Sequence, residues 1–85
     1  MPKIEIYTTD VCPYCVRAKQ LLKNKGMDWT EINIQREPER REEMMTRAEG
    51  RRTVPQIFIN DRHVGGCDDL YALESAKKLD ALLNA

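Results

Sequence analysis

Apolar and polar residues alternate with a period of two near the start of the chain, which predicts a strand over residues 3–7. From Pro13 the apolar spacing becomes helical, and Gly26 is a natural helix stop. The predicted helix turns one apolar face to the core, made of Cys15, Ala18, Leu21 and Leu22. Alternation returns over residues 29–34 and predicts a second strand. Strand, helix and strand in this order indicate a right-handed parallel βαβ unit.

A second helix is predicted from Pro38, which suits a first helical turn, to a stop near Gly50. Its inward-facing residues would be Met44, Met45 and Ala48. The charged residues 36–43 indicate a solvated face with i,i+4 Glu–Arg pairs and not a ligand site.

The remaining pattern predicts strands over residues 56–59 and 62–65, joined by a hairpin turn at residues 60–61. Asp68 or Asp69 would cap a last helix. Its inward residues would be Leu70, Leu73 and Ala76, and it would run on or restart through Leu79, Leu82 and Leu83. The order β-α-β-α-β-β-α predicts a single α/β domain over residues 1–85, with one sheet and helices on its faces.

The composition fits an ordinary soluble globular protein, with 41% hydrophobic and 33% charged residues. Fourteen basic residues balance fourteen acidic ones, so no global field would attract nucleic acid or an acidic membrane. No apolar leader and no run of membrane-spanning length is present, and we expect a cytoplasmic location. Three cysteines are too few, and odd in number, for a secreted disulfide framework.

The residues Cys12-Pro13-Tyr14-Cys15 carry the strongest chemical signal, because they lie between a predicted strand and a predicted helix. With Cys12 at the N-cap, its sulfur meets free backbone N–H groups, those of Tyr14 and Cys15 being nearest. The helix dipole adds partial positive charge, so we expect a lowered pKa for Cys12. Cys15 lies one turn further on and lacks these donors. Cys12 is therefore the expected nucleophile and Cys15 the resolving thiol.

A zinc site is the alternative interpretation of the cysteine pair. Four ligands would be required, and the chain offers only Cys12, Cys15, His63 and Cys67. His63 and Cys67 form a poor half-site, on a predicted strand and its exit. We therefore expect no metal.

Three motifs, in order and spacing, resemble the glutaredoxin family, most nearly the short bacterial dithiol type known as the third type of enteric bacteria. They are Cys12-Pro13-Tyr14-Cys15, Thr53-Val54-Pro55 before a strand, and Gly65-Gly66-Cys67-Asp68-Asp69 before the last helix. The resemblance implies a thioredoxin-like fold with a four-stranded mixed sheet flanked by helices. It also implies that glutathione is the reductant.

The resemblance further assigns a glutathione groove. Val54-Pro55 resembles the family's cis-proline turn, although a trans bond is the usual expectation for an X-Pro pair. Val54 would present its backbone N–H and C=O to the cysteine of glutathione, like one rung of a sheet, with Thr53 and Pro55 beside it as binding residues of the same motif. Gly66, Cys67, Asp68 and Asp69 would hold the γ-glutamyl group at a helix N-terminus, and Tyr14 would form a wall. Each Asp could instead only cap its helix, and Cys67 could be a small packed residue whose thiol is a secondary oxidation site.

The chain departs from the family in the loop before Cys12. Many glutaredoxins carry there a lysine that can pair with the glycine carboxylate of glutathione, and Thr9 stands in its place. Arg41 or Arg52 could take over that role through a charge-assisted bond.

The leading hypothesis is a glutathione-disulfide oxidoreductase that reduces glutathionylated thiols and protein disulfides, with ribonucleotide reductase as one partner that the family implies. We expect a monomer. One alternative is a related hydrogen donor reduced by thioredoxin reductase. Another is a glutathione-ligated iron–sulfur carrier, which Pro13 and Cys15 disfavour because cluster-binding relatives usually have Gly and Ser at these positions.

Overall fold

The computed structural model describes residues 2–84. Its sheet is built from four strands: β1 (Ile4–Thr8), β2 (Thr30–Asn33), β3 (Gln56–Ile59) and β4 (Arg62–Gly65). They lie in the order β2-β1-β3-β4. β1 pairs with β2 in parallel and with β3 antiparallel, and β3 pairs antiparallel with β4. The predicted mixed sheet and its parallel βαβ unit are confirmed.

The helices are α1 (Pro13–Asn24), α2 (Arg41–Arg47), α3 (Cys67–Ser75) and α4 (Leu79–Leu83), and a 3₁₀ turn over Pro38–Arg40 leads into α2. The last predicted helix is therefore two helices, separated at Lys77, whose φ is +60°. Ala76 was expected to face inward and does not: it is exposed at the C-terminal cap of α3, where the chain leaves the helix.

Local sequence accounts for both ends of α1. The Cys12 side chain accepts the Cys15 N–H at the N-cap, and Pro13 occupies the first helical position. Gly26 follows the helix with a φ of +72°, a conformation that glycine adopts without a Cβ clash. The four predicted inward residues of α1 are all buried.

The sheet is covered on both faces, so the buried residues form two clusters. The larger cluster, under α1, α3 and α4, contains Ile4, Ile6, Ala18, Leu21, Leu22, Ile57, Ile59, Cys67, Leu70, Leu79 and Leu83. The smaller cluster, under α2, contains Tyr7, Ile32, Ile34, Met44, Ala48 and Phe58. The first strand ends one residue beyond the predicted range 3–7, at Thr8, which is fully buried and whose hydroxyl donates to Glu31 at 2.9 Å.

The predicted hairpin is confirmed at residues 60–61. Asn60 and Asp61 both have positive φ angles, 52° and 65°, as a two-residue type I′ turn requires. Both residue types tolerate this conformation better than most. The turn leaves β4 at one edge of the sheet.

The expected i,i+4 Glu–Arg pairs of residues 36–43 are absent from the ion pairs of the described chain. Arg40 instead pairs with Glu43 at i,i+3, with Nη2 and Oε2 2.9 Å apart, and Arg36 reaches Asp10. The reason is local, because residues 38–40 form a 3₁₀ turn with three residues per turn, so side chains four apart across it do not share one face. Glu43 is also drawn toward the hydroxyl of Tyr7, which donates to it.

Within residues 2–84 the helices are all too short or too polar to cross a bilayer.

Candidate active site at the start of the first helix

Cys12 and Cys15 face each other at the first turn of α1 and are joined by a disulfide, with their Cα atoms 5.2 Å apart. The Sγ atom of Cys12 accepts the backbone N–H of Cys15 at 3.1 Å. Cys12 is half-buried, whereas Cys15 is only 1% exposed. One sulfur is therefore accessible and lies at the positive end of a helix dipole, while the other is enclosed in the protein.

A cleft of about 130 Å³ opens beside this disulfide. Six residues line it: Tyr14, Thr53, Val54, Pro55, Cys67 and Asp68. The Val54–Pro55 bond is cis, and the carbonyl oxygen of Val54 lies 3.9 Å from the Cys12 sulfur. The fold thus brings three motifs that are far apart in the sequence to one place.

The third motif forms the N-terminus of α3, and of the two predicted capping aspartates it is Asp69 whose side chain caps the helix, from the N3 position. Gly66 is the N-cap, and the Asp69 carboxylate accepts the Gly66 N–H at 2.8 Å. The Asp69 carboxylate also accepts a hydrogen bond from Nη1 of Arg51, at 3.0 Å. The bond from the Gly66 N–H, followed by the bond from Arg51, lowers the pKa of Asp69 below its usual range. Asp68 is exposed and is the carboxylate that lines the cleft.

Cys67 lines the cleft but is only 5% exposed. Burial raises the pKa of its thiol, an effect only partly offset by the charge of Arg17. Its side chain belongs to the larger core cluster, under α1, α3 and α4. The geometry therefore favours a packed, protonated thiol at this position.

Five of the predicted binding residues lie outside the lining of the cleft. Thr9 is half-buried directly after β1, and Arg41 is exposed at the start of α2. Arg52 lines a different, shallow groove beside α2. Gly66 and Asp69 flank the cleft residues Cys67 and Asp68, and the Asp69 carboxylate accepts the Gly66 N–H.

Arg51 is a residue of this region that the sequence does not mark: its guanidinium lies over Gly65 and Gly66 and binds the Asp69 carboxylate. Its partner is 18 residues away, so no local pattern marks the pair. The only sequence feature that points to Arg51 is its position as a basic residue directly before Arg52 and Thr53.

A larger groove, of about 760 Å³, lies between β4, α3 and α4 and includes neither cysteine of the pair. Among residues 2–84 there is no group of three or more His, Cys, Asp or Glu side chains placed to hold a metal ion.

The glutaredoxin family model matches residues 4–64, which include the cysteine pair and the cis-proline motif. The chain belongs to the glutaredoxin family. A glutaredoxin of Pseudomonas aeruginosa is 61% identical over 85 residues, covering all of both chains. Glutaredoxin 3 of Escherichia coli K12 is 55% identical over 83 residues, covering 98% of this chain and 99% of its own.

Solved glutaredoxin structures share the fold. The solution structure of a Brucella melitensis glutaredoxin has a TM-score of 0.82 at 58% identity, covering 95% of this chain and 87% of that one. A buckwheat glutaredoxin–glutathione complex has a TM-score of 0.89 at 28% identity, covering 98% and 77%. The protein is thus a thiol–disulfide oxidoreductase with the thioredoxin-like α/β fold and a redox-active cysteine pair.

Proposed function

We propose that this chain is a glutathione-disulfide oxidoreductase, in which Cys12 is the nucleophile and glutathione the electron donor. The observation that carries the proposal is the position of the Cys12 sulfur. It lies at a helix N-terminus, accepts a backbone N–H, and is 3.9 Å from the carbonyl oxygen of Val54, a residue that lines the cleft. The buckwheat relative, whose structure is a complex with glutathione, supports the same donor.

In the first half of the reaction, the Cys12 thiolate attacks the glutathione sulfur of a mixed disulfide. The substrate sulfur leaves with the bonding electrons and takes a proton, and Cys12 becomes glutathionylated. The thiolate of a second glutathione then attacks the glutathione sulfur bound to Cys12. Glutathione disulfide forms, and Cys12 leaves as a thiolate that the helix end stabilises.

For a protein disulfide, the Cys12 thiolate attacks one substrate sulfur and forms a mixed disulfide, and the other substrate sulfur leaves with the bonding electrons and takes a proton. Cys15, once deprotonated, attacks Cys12 and expels the second substrate thiolate, which is protonated. The product is the Cys12–Cys15 disulfide, the bond that the structure contains. Two glutathione molecules then reduce it, with glutathione disulfide as the product.

The cleft would bind glutathione through its backbone. The N–H and C=O of Val54 would pair with the cysteine residue of glutathione, as an added strand does. Cys67 N–H and the carboxylate of Asp68 would meet the carboxylate and ammonium of the γ-glutamyl group. Asp69 would act indirectly, because it is bound to Arg51 and to Gly66. Thr9 would contribute no positive charge to the glycine end.

The decisive experiment is reduction of a glutathione mixed disulfide of a small thiol, coupled to glutathione reductase. Cys15→Ser should retain most of the activity, because this reaction requires only one thiol. Cys12→Ser should abolish it. Equal loss in both variants would overturn the assignment of roles.

A second measurement identifies the donor. The wild-type protein is coupled separately to glutathione plus glutathione reductase and to thioredoxin reductase, with the same disulfide substrate. We expect turnover with the glutathione system. Turnover with thioredoxin reductase alone would replace glutathione as the donor.

The proposal extends to the setting of the protein. We propose that residues 1–85 act as a single monomeric domain in the cytoplasm, on glutathionylated or disulfide-containing proteins such as ribonucleotide reductase. The monomer is tested by sedimentation, and the partner by trapping a mixed disulfide on Cys12 in the Cys15→Ser variant.

A further inference from the structure

Gln56, on β3, is a fully buried polar side chain within two residues of the cleft. Its Nε2 donates to the carbonyl oxygen of Thr53 at 2.9 Å and to the Thr53 hydroxyl at 3.1 Å. Its Oε1 lies 2.8 Å from Nε2 of His63 on β4. Both ends of the amide are therefore satisfied, as buried polar groups require.

The chemistry of the partners determines how each group is oriented. The Thr53 carbonyl can only accept, so the amide nitrogen of Gln56 must face it and the amide oxygen must face His63. His63 must then carry a hydrogen on Nε2. Its ring is held against Phe58, with the ring centroids 5.0 Å apart and the planes tilted by 32°.

This bond determines the direction of one backbone donor in the cleft. The Thr53 carbonyl and the Val54 N–H belong to the same peptide group, which is planar and trans, so they point in opposite directions. When Gln56 holds the carbonyl on the inner side, the Val54 N–H is held facing away from Gln56. No acceptor for this N–H occurs among residues 2–84.

We propose that Gln56 and His63 are positioning residues that hold the Thr53–Val54 peptide in the orientation required to bind the extended backbone of a glutathionyl substrate. This inference rests on the proposed function and deepens it. The chain of bonds from His63 through Gln56 to Thr53 stabilises one peptide orientation before the substrate arrives, so less ordering remains for the binding step. A carbonyl that accepts a hydrogen bond also polarises the N–H of its own peptide.

The arrangement is maintained across the ordinary pH range. Burial lowers the pKa of His63, and the charge of Arg51 lowers it further, whereas Glu49 and Asp69 act in the opposite direction. Because the Nε2–H is present in both the neutral and the protonated ring, His63 donates to Gln56 in either state. A change of pH therefore does not remove the Nε2–H donor of His63, and a substitution is needed to remove it.

Three single variants test the proposal in the glutathione mixed-disulfide assay. Gln56→Leu removes the amide at similar volume, and His63→Phe removes only the donor while retaining an aromatic ring beside Phe58. Each should raise KM about five- to tenfold, the range expected for one buried hydrogen bond, with kcat unchanged. Arg62→Ala, an exposed change on the same strand, is the matched control and should leave both constants as in the wild type.

A nuclear magnetic resonance readout is independent of turnover. The ring nitrogens of His63 should show hydrogen on Nε2 and none on Nδ1 above its pKa. The Val54 amide signal should shift in Gln56→Leu and in His63→Phe, but not in Arg62→Ala. A His63 ring with hydrogen on Nδ1, or a Val54 signal and KM unchanged in both variants, would overturn the positioning role. Failure of the wild-type protein to turn over with glutathione would instead refute the proposed function.

Discussion

Gly65, the last residue of β4, occupies a position that no other residue can take without cost. Its φ is +120°, outside the range that L side chains adopt readily. A Cβ built there would lie 2.7 Å from Cγ of Asp69 and 2.8 Å from Nη1 of Arg51. Real Cβ atoms do not approach other heavy atoms so closely. Gly65→Ala must therefore displace the carboxylate that caps α3.

The magnitude of the effect has two sources. Holding a non-glycine residue in such a backbone conformation costs about 1–3 kcal/mol. Displacing the Asp69 carboxylate and the Arg51 guanidinium, the ends of two half-exposed side chains, costs about 0.5–2 kcal/mol more, because the cap bond to the Gly66 N–H is lost. We expect Gly65→Ala to lower the free energy of unfolding by about 2–4 kcal/mol, a large part of the stability of a domain of this size.

Gly26→Ala is the matched control, because Gly26 also has a positive φ, +72°, but nothing lies within 4 Å of the point that an added Cβ would occupy. Only the backbone cost of about 1–2 kcal/mol applies there. Urea unfolding of both variants, monitored by circular dichroism, gives the two free energies of unfolding. The slope m, the dependence of each free energy on urea concentration, is compared between them. Equal losses at the two positions, or a loss below about 1 kcal/mol for Gly65→Ala, would refute the steric reasoning.

Three further predictions concern single side chains. Arg47→Met should lower the free energy of unfolding in urea by about 2 kcal/mol, because it removes both guanidinium bonds to Glu5, at 2.8 and 3.1 Å, and leaves, within residues 2–84, only the Lys3 ammonium at 3.9 Å; a loss under about 0.5 kcal/mol would contradict this. Asp69→Asn should be less stable than the wild type at pH 7. Because folding lowers the pKa of Asp69 below 3.8, the wild type should lose this advantage as pH falls through that lower pKa, and an equal gap at pH 7 and pH 2 would count against it. In the reduced protein the Cys67 thiol, which is 5% exposed, should react with a thiol reagent at pH 8 far more slowly than Cys12 and should become fast on unfolding; equal rates for Cys67 and Cys12 in the folded protein would show that burial does not protect Cys67.

The elements that the sequence predicts well are those specified by neighbouring residues. The helical spacing from Pro13, the capping position of Cys12 and the stop at Gly26 all act within a few residues of one another, and α1 forms as predicted. The turn at residues 60–61 is likewise a local matter of two residues that tolerate positive φ. These features require no knowledge of the rest of the fold.

The features that the sequence does not reveal depend on which surfaces meet. Tyr7 alternates with Ile6, which places it on the polar face of the strand, but α2 covers that face and Tyr7 becomes fully buried. In the sequence Arg51 is one of several arginines, and only the packing of α3 shows that Asp69 is its partner. Gln56 looks like an ordinary polar strand residue, and its burial follows from the pairing of β3 with both β1 and β4. The resemblance, and not the residue pattern, indicated the cis bond before Pro55.

The division of the interior into two clusters has a consequence for how this enzyme could change. The helix that carries the cysteine pair packs on the larger cluster, whereas Val54, across the cleft, packs on the smaller cluster under α2. The two walls of the cleft thus depend on separate sets of packed residues on opposite faces of one sheet. Repacking beneath α2 would therefore move the Val54 side of the cleft without repacking the residues beneath the cysteine pair. The Cys67 side of the cleft lacks this independence, because Cys67 belongs to the same larger cluster as α1.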